Sequence, residues 1–153
     1  MFGLAGVLLA YLGGDAEMIE TNIDNPPQVL AGQPFRVTLD LHNTTDDDQY
    51  LLSIGLKRDM VEKGVSIDSS IPFYQQVEDL DGSPWMEYSY GLVEDELPAI
   101  SPGETLPMRL RMKMSEPGEY DITLAFWLYN RFRADYATFQ VSVLPHPAPW
   151  LGR

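Results

Sequence analysis

The chain has no cysteine, which excludes a disulfide scaffold, thiolate metal sites and a cysteine nucleophile while leaving the redox compartment open. Histidine is nearly as scarce. His42 lies on an alternating stretch and His146 in a proline-rich tail, so a histidine-based triad or zinc site lacks enough nearby ligands. Basic residues number ten against twenty-three acids, and the net charge of -13 disfavours nucleic acid and anionic lipid as partners through long-range repulsion. Hydrolase spacing of the Gly-x-Ser-x-Gly kind and phosphate-loop spacing are both missing. The apolar run at residues 1–14 has no lysine or arginine ahead of it. As a helix of about 13 residues it would reach about 20 Å, short of the roughly 30 Å hydrocarbon core. Three readings of it stay open: a signal peptide, a retained anchor in the membrane interface, or a segment inserted into a partner.

At 153 residues the chain is expected to form one domain, burying about two thirds of its unfolded surface. An apolar segment at 1–16, a folded domain at 17–144 and a proline-rich extended tail at 145–153 are expected. The strongest pattern is the pair of alternating runs between residues 106 and 128, two consecutive antiparallel strands joined by Pro117, Gly118, Glu119 and Tyr120. Leu106, Met108, Leu110, Met112 and Met114 share one face, with Arg109, Arg111 and Lys113 opposite. Tyr120, Ile122, Leu124, Phe126 and Leu128 repeat the pattern. Phe35, Val37, Leu39 and Leu41 predict another strand, as do Ala137, Phe139, Val141 and Val143. Leu52, Ile54 and Leu56 predict one more, with Leu51, Ser53, Gly55 and Lys57 facing outward. Short segments around Pro26 and Pro27 read as an interrupted first strand. Between 58 and 95 the pattern weakens to two or three short strands near 65–67, 73–77 and 86–92, with a turn at 79–84.

Charge is unevenly distributed along these strands. Nineteen acids and four bases precede residue 105, against four acids and six bases after it. Basic and acidic strands are therefore expected side by side.

Strands every eight to twelve residues, with Gly, Pro and Asp turns between them, predict an all-β fold: an immunoglobulin-like antiparallel β-sandwich of about seven to nine strands. The run from Ala31 through Gly32, Gln33 and Pro34 to Asn43 resembles the second strand of bacterial immunoglobulin-like modules, particularly the adhesion-related CARDB type. Ser101, Pro102, Gly103, Glu104 and Thr105, and then the run from Glu116 to Ile122, resemble the turn and sixth-strand entry of that class. The resemblance implies that Tyr120 forms a tyrosine corner and that Ile122 replaces the cysteine of antibody-type domains. It also implies a binding or spacing role outside the cytoplasm, without catalysis.

Trp127, Tyr129 and Tyr136 are expected to point outward, with Leu51 beside them and Arg131 and Arg133 in the adjoining turn. These residue types commonly anchor protein interfaces. Coverage of this face by the chain's own segments is the competing expectation. Arg109, Arg111 and Lys113 form a second candidate surface, suited to an acidic protein unless Asp40 neutralises it. Trp150 in the tail is a further candidate contact. Asp46, Asp47 and Asp48, together with Glu78, Asp79 and Asp81, are weak calcium candidates, provided that their loops meet at one pole. Neither loop follows the EF-hand pattern, and no cofactor is expected. The leading expectation is a non-catalytic accessory or scaffolding subunit of a larger protein complex, periplasmic or at the cell surface, with residues 1–14 supplying membrane contact. The alternative is a carbohydrate or small-ligand module. A flat aromatic face would favour assembly, and a cleft between aromatics lined with Asp and Asn would favour a sugar.

Overall fold

The computed structural model describes residues 17–79, 83–131 and 134–146. Arg133, Trp150, Asp81 and residues 1–14 lie outside the described residues, and so do the structural readings placed on them. The small sheet has the order β1 (Ile19–Asp24), β3 (Phe35–Asn43), β9 (Thr105–Lys113), β5 (Ser66–Ser69), and all its pairs are antiparallel. The large sheet runs β2 (Gln28–Leu30), β11 (Ala134–Leu144), β10 (Gly118–Leu128), β4 (Gln49–Lys57), β7 (Trp85–Ser89), β6 (Gln75–Asp79). The two-residue β8 (Ala99–Ile100) adds to β4, and β2 pairs with β11 in parallel. One short helix, α1 (Arg58–Glu62), follows β4. The strands exceed the expected seven to nine because β2 and β8, of three and two residues, are separate short pieces.

Alternation places the core where the sequence predicts it. Met108, Leu110 and Met112 from the small sheet, and Ile122, Leu124 and Phe126 from the large one, are essentially inaccessible. They meet Leu39, Leu41, Ile54 and Leu56 in one cluster between the sheets. This is an immunoglobulin-like β-sandwich: the sheets match the A-B-E-D and A′-G-F-C arrangements, with two further strands beyond C. The middle of the chain departs from that order. After β4 it first supplies β5 to the small sheet, and only then the β6–β7 pair that extends the large one.

The two strands between 106 and 128 do not pair with each other. Both edges of β9 are occupied, by β3 and β5, so β10 pairs instead with β4 and β11. Their connection is a crossing between sheets, fixed by a tyrosine corner. The Tyr120 hydroxyl donates to the Glu116 carbonyl at 2.7 Å. Gly118 makes the crossing with φ +149°, a conformation that L side chains rarely adopt.

Two buried polar side chains close one end of the sandwich, where Ile19 pairs with Asn43. Asp135, at the start of β11, accepts the Met18 and Ile19 backbone N–H groups at 3.0 and 2.8 Å, tying β1 to the opposite sheet. Asn43 donates to the Asp47 and Ile100 carbonyls and accepts from Thr45. Each arrangement satisfies backbone groups that would otherwise be buried unpaired.

Replacing Tyr120 with Phe removes one hydrogen bond without opening a cavity. A loss of about 1 kcal/mol in urea unfolding is expected, with the fold retained. Burial also pushes the Tyr88, Tyr90 and Tyr120 hydroxyls above their ordinary value of 10.0, with Phe73 packing on the first two rings. Below pH 10 these tyrosines are neutral in both states and their contribution is complete. Above it the unfolded chain releases protons first, so stability falls as pH rises toward the raised native values. The urea midpoint should therefore drop between about pH 10 and 12, and Tyr88→Phe with Tyr90→Phe should flatten the drop.

Candidate functional site

The outer face of the large sheet is built around an irregularity in strand pairing. Trp127 pairs with Ser53, but the next residue, Leu128, pairs with Leu51, so Leu52 is the extra residue of a bulge. Leu51 consequently joins Ile54 and Leu56 in the core. The expected order, with Leu52 inward and Leu51 outward beside the aromatics, is reversed at this point: the bulge shifts the alternation by one residue. Leu52 and Ser53 then border the outer face together.

That face is covered rather than wet. Ser53, Glu87, Ser89 and Ala125 lie on it and are all buried. Gly55 permits the arrangement, because a Cβ there would stand 2.9 Å from the Glu87 Oε2. The carboxylate lies across β4, and its Oε1 accepts the Ser53 hydroxyl at 2.9 Å. Beside it, the rings of Trp85 and Tyr136 meet with centroids 5.8 Å apart. Those residues stand on strands separated by β4 and β10, and the small Gly55 and Ala125 leave room for the rings to lean together. Lys57 Nζ sits 5.8 Å from the Trp85 ring centroid, a cation–π distance.

Next to this roof is a cleft of about 540 Å³, with Trp85, Trp127, Leu52 and Leu92 as apolar walls and Ser53, Glu87, Ser89 and Asn130 as polar lining. The Trp127 Nε1 is buried and has no acceptor among the described residues. Asn130 adopts φ +61° at the turn, and Arg131, also in the lining, is held by Gln49 through an Nε to Oε1 hydrogen bond of 3.2 Å. Leu92, in the lining, is 62% exposed, and its chain neighbour Val93 is 53% exposed.

Of the residues expected here, Trp127 and Arg131 line the cleft and Tyr136 roofs its flank, half exposed. Tyr129 packs against the core cluster instead of standing free. Trp85, Glu87, Leu92 and Gly55 were not anticipated as site residues. Trp85, Glu87 and Ser89 stand at alternate positions and so share one face of β7, but which strand neighbours them is not readable from the sequence. Leu92 and Val93 carried the plainer signal, an apolar pair set directly before Glu94, Asp95 and Glu96.

Arg109, Arg111 and Lys113 are exposed on the outside of the small sheet, so they do not share a face with the cleft. Asp40 stands opposite Pro107, and the acid directly beside the stripe is Asp68, across from Arg111. Asp46, Asp47 and Asp48 are exposed in the β3–β4 loop. Glu78 and Asp79 pair with Glu87 and Met86, toward the Trp85 end of β7 and away from these aspartates. Trp85 pairs with Lys57 at one end of β4, whereas the Asp46–Asp48 loop leads into the other end at Gln49. About 27 Å of strand separates them. No group of three or more His, Cys, Asp and Glu among the described residues is placed to hold a metal ion. No helix among them is long and apolar enough to cross a membrane.

No protein-family profile matches the chain, and no curated protein matches its sequence. Among solved structures it is similar to AvmM, which catalyses macrocyclization in alchivemycin A biosynthesis, with TM-score 0.54, 10% identity and coverage of 86% of this chain and 93% of that one. It also aligns with the native conformation of E. coli alpha-2-macroglobulin at TM-score 0.47 and 16% identity, over 85% of this chain and 7% of that one. A cohesin module from the Clostridium perfringens ATCC13124 family 33 glycoside hydrolase aligns at TM-score 0.43 and 10% identity, over 86% and 100%. At these identities the likeness concerns the fold alone.

Glycine at position 55 is required for the carboxylate to reach Ser53. Gly55→Ala should keep the fold, because the flexible end of Glu87 can swing aside and Ala125, whose Cβ would stand 3.3 Å away, need give only slightly, but it should break the Ser53 hydrogen bond and cost at least about 1 kcal/mol. A crystal structure of the variant with a urea titration checks both.

Proposed function

We propose that this chain is a non-catalytic immunoglobulin-like interaction module that receives a protein partner on the cleft-bearing face of its large sheet. The carrying observation is the cleft between Trp85 and Trp127 with the strongly exposed Leu92 in its lining and the exposed Val93 next in the chain. Tryptophan walls with an apolar rim offer a partner side chain a desolvated seat, the usual position of a binding hot spot. The likeness to AvmM, at 10% identity, concerns the fold alone and carries no reaction over to this chain. In this reading the chain is an accessory or scaffolding subunit of an extracytoplasmic or membrane-associated complex, related in kind to CARDB modules, with residues 1–14 as its attachment.

A second reading has one observation in its favour. Glu87, Ser53, Ser89 and Asn130 lie between two indoles, a setting suited to the hydroxyls of a carbohydrate or another small ligand. The apolar rim supports the protein partner over it.

Affinity capture from native membranes with residues 1–14 intact separates the two. Under the first reading a defined protein co-purifies, and Trp127→Ala or Leu92→Asp lowers its recovery at least about tenfold, as hot-spot substitutions do. Recovery of the chain only as a soluble monomer contradicts that reading. Saturable quenching of tryptophan fluorescence by a soluble oligosaccharide would establish the second.

A further inference from the structure

We propose that the outside of the small sheet is a separate docking strip for an extended acidic segment of a partner protein, one that presents carboxylates at alternate positions. Four of the chain's ten lysines and arginines, Arg36, Arg109, Arg111 and Lys113, project from the β3–β9 part of this face, and all are exposed. None of the four has a side-chain hydrogen bond or ion pair among the described residues. Arg36 stands directly opposite Arg111. Like charges facing each other across a ladder destabilise a sheet, and only Asp68, on the far side of Arg111, offsets them directly. A local rule broken on an exposed surface, in a protein otherwise rich in acids, is the kind of cost retained at a functional site.

Spacing selects the ligand. Arg109, Arg111 and Lys113 are two residues apart on one strand, which sets their Cα atoms about 6.8 Å from one another. An extended peptide has the same repeat between alternate side chains, so glutamates or aspartates at every second position would fall opposite all three. Arg36, Arg109, Arg111, Ser69 and Ser70 also border a depression of about 390 Å³, with Asp68 at its side; three guanidinium forks against one acid leave it net basic, and a carboxylate there meets forks able to bind it through both oxygens. The strip is short. Asp24, Asp40 and Asp68 flank it on β1, β3 and β5, and together with the net charge of -13 they repel the unbroken charge of a nucleic acid or sulfated glycan. An alternating acidic peptide carries its charge only where the strip lies.

A fluorescent synthetic peptide of alternating glutamate and threonine is the probe, followed by anisotropy at low salt against the intact chain. Binding should be saturable and should weaken steeply as salt rises. Arg109→Ser, Arg111→Ser and Lys113→Ser combined should weaken it about tenfold with the melting temperature retained. A peptide with the same glutamates in one block should bind several-fold more weakly. Unchanged binding by the folded triple variant overturns the proposal, as does binding indifferent to salt in the unaltered chain. Equal binding of the block peptide, or tighter binding of a sulfated oligosaccharide or an oligonucleotide, would overturn it in favour of a general polyanion surface.

Discussion

The bulge where β4 passes β10 is the constraint on which the working face depends. A regular pairing would have continued the alternation, placing Leu52 in the core and leaving Leu51 outside. Inserting one residue returns Leu51 to the core opposite Leu128 and leaves Leu52 on the outer side with Ser53 and Trp127. A one-residue slip exchanges the faces of every residue beyond it, and here that exchange adds Leu52 to the walls of the cleft. Bulges commonly occur beside functional sites because they re-aim side chains in this way.

The polar residues beneath the roof follow from the same arrangement. An outer sheet face normally keeps its polar side chains in water, yet Ser53, Glu87 and Ser89 are withdrawn from it. Desolvating a carboxylate is costly unless hydrogen bonds replace the lost water. Ser53 supplies one of them, and the missing side chain at Gly55 supplies the space. The Trp127 Nε1, buried with no acceptor among the described residues, is a cost without such compensation. A face that tolerates these costs is organised for something other than stability.

Much of the fold was legible, because period-two alternation is a direct record of burial. Met108, Leu110 and Met112, and then Ile122, Leu124 and Phe126, face the core as their spacing predicts. The turn chemistry around Tyr120 was legible too, since its hydroxyl closes on Glu116. Pairing was not legible. Nothing local in β9 and β10 reveals that they belong to different sheets, and nothing in residues 58–95 shows that β5 crosses away before β7 returns beside β4. The cleft was half legible for the same reason: Trp127 and Tyr136 announced themselves, while Trp85 and Glu87 matter only because β7 lies against the bulged strand. Asp68 became the neighbour of Arg111 through equally long-range pairing.

The sandwich therefore presents two unlike outer faces: an aromatic cleft on the large sheet and a basic strip on the small one. They are held apart by the core, so under the proposed reading each face would engage its partner independently of the other. Hydroxyl-radical footprinting of the chain within its native assembly, compared with the isolated chain, tests the central claim most directly. The account predicts that Trp85, Leu92 and Tyr136 become protected in the assembly while Tyr120, at the sheet crossing, keeps its reactivity. Unchanged labelling of Trp85, Leu92 and Tyr136 in an intact assembly would contradict it.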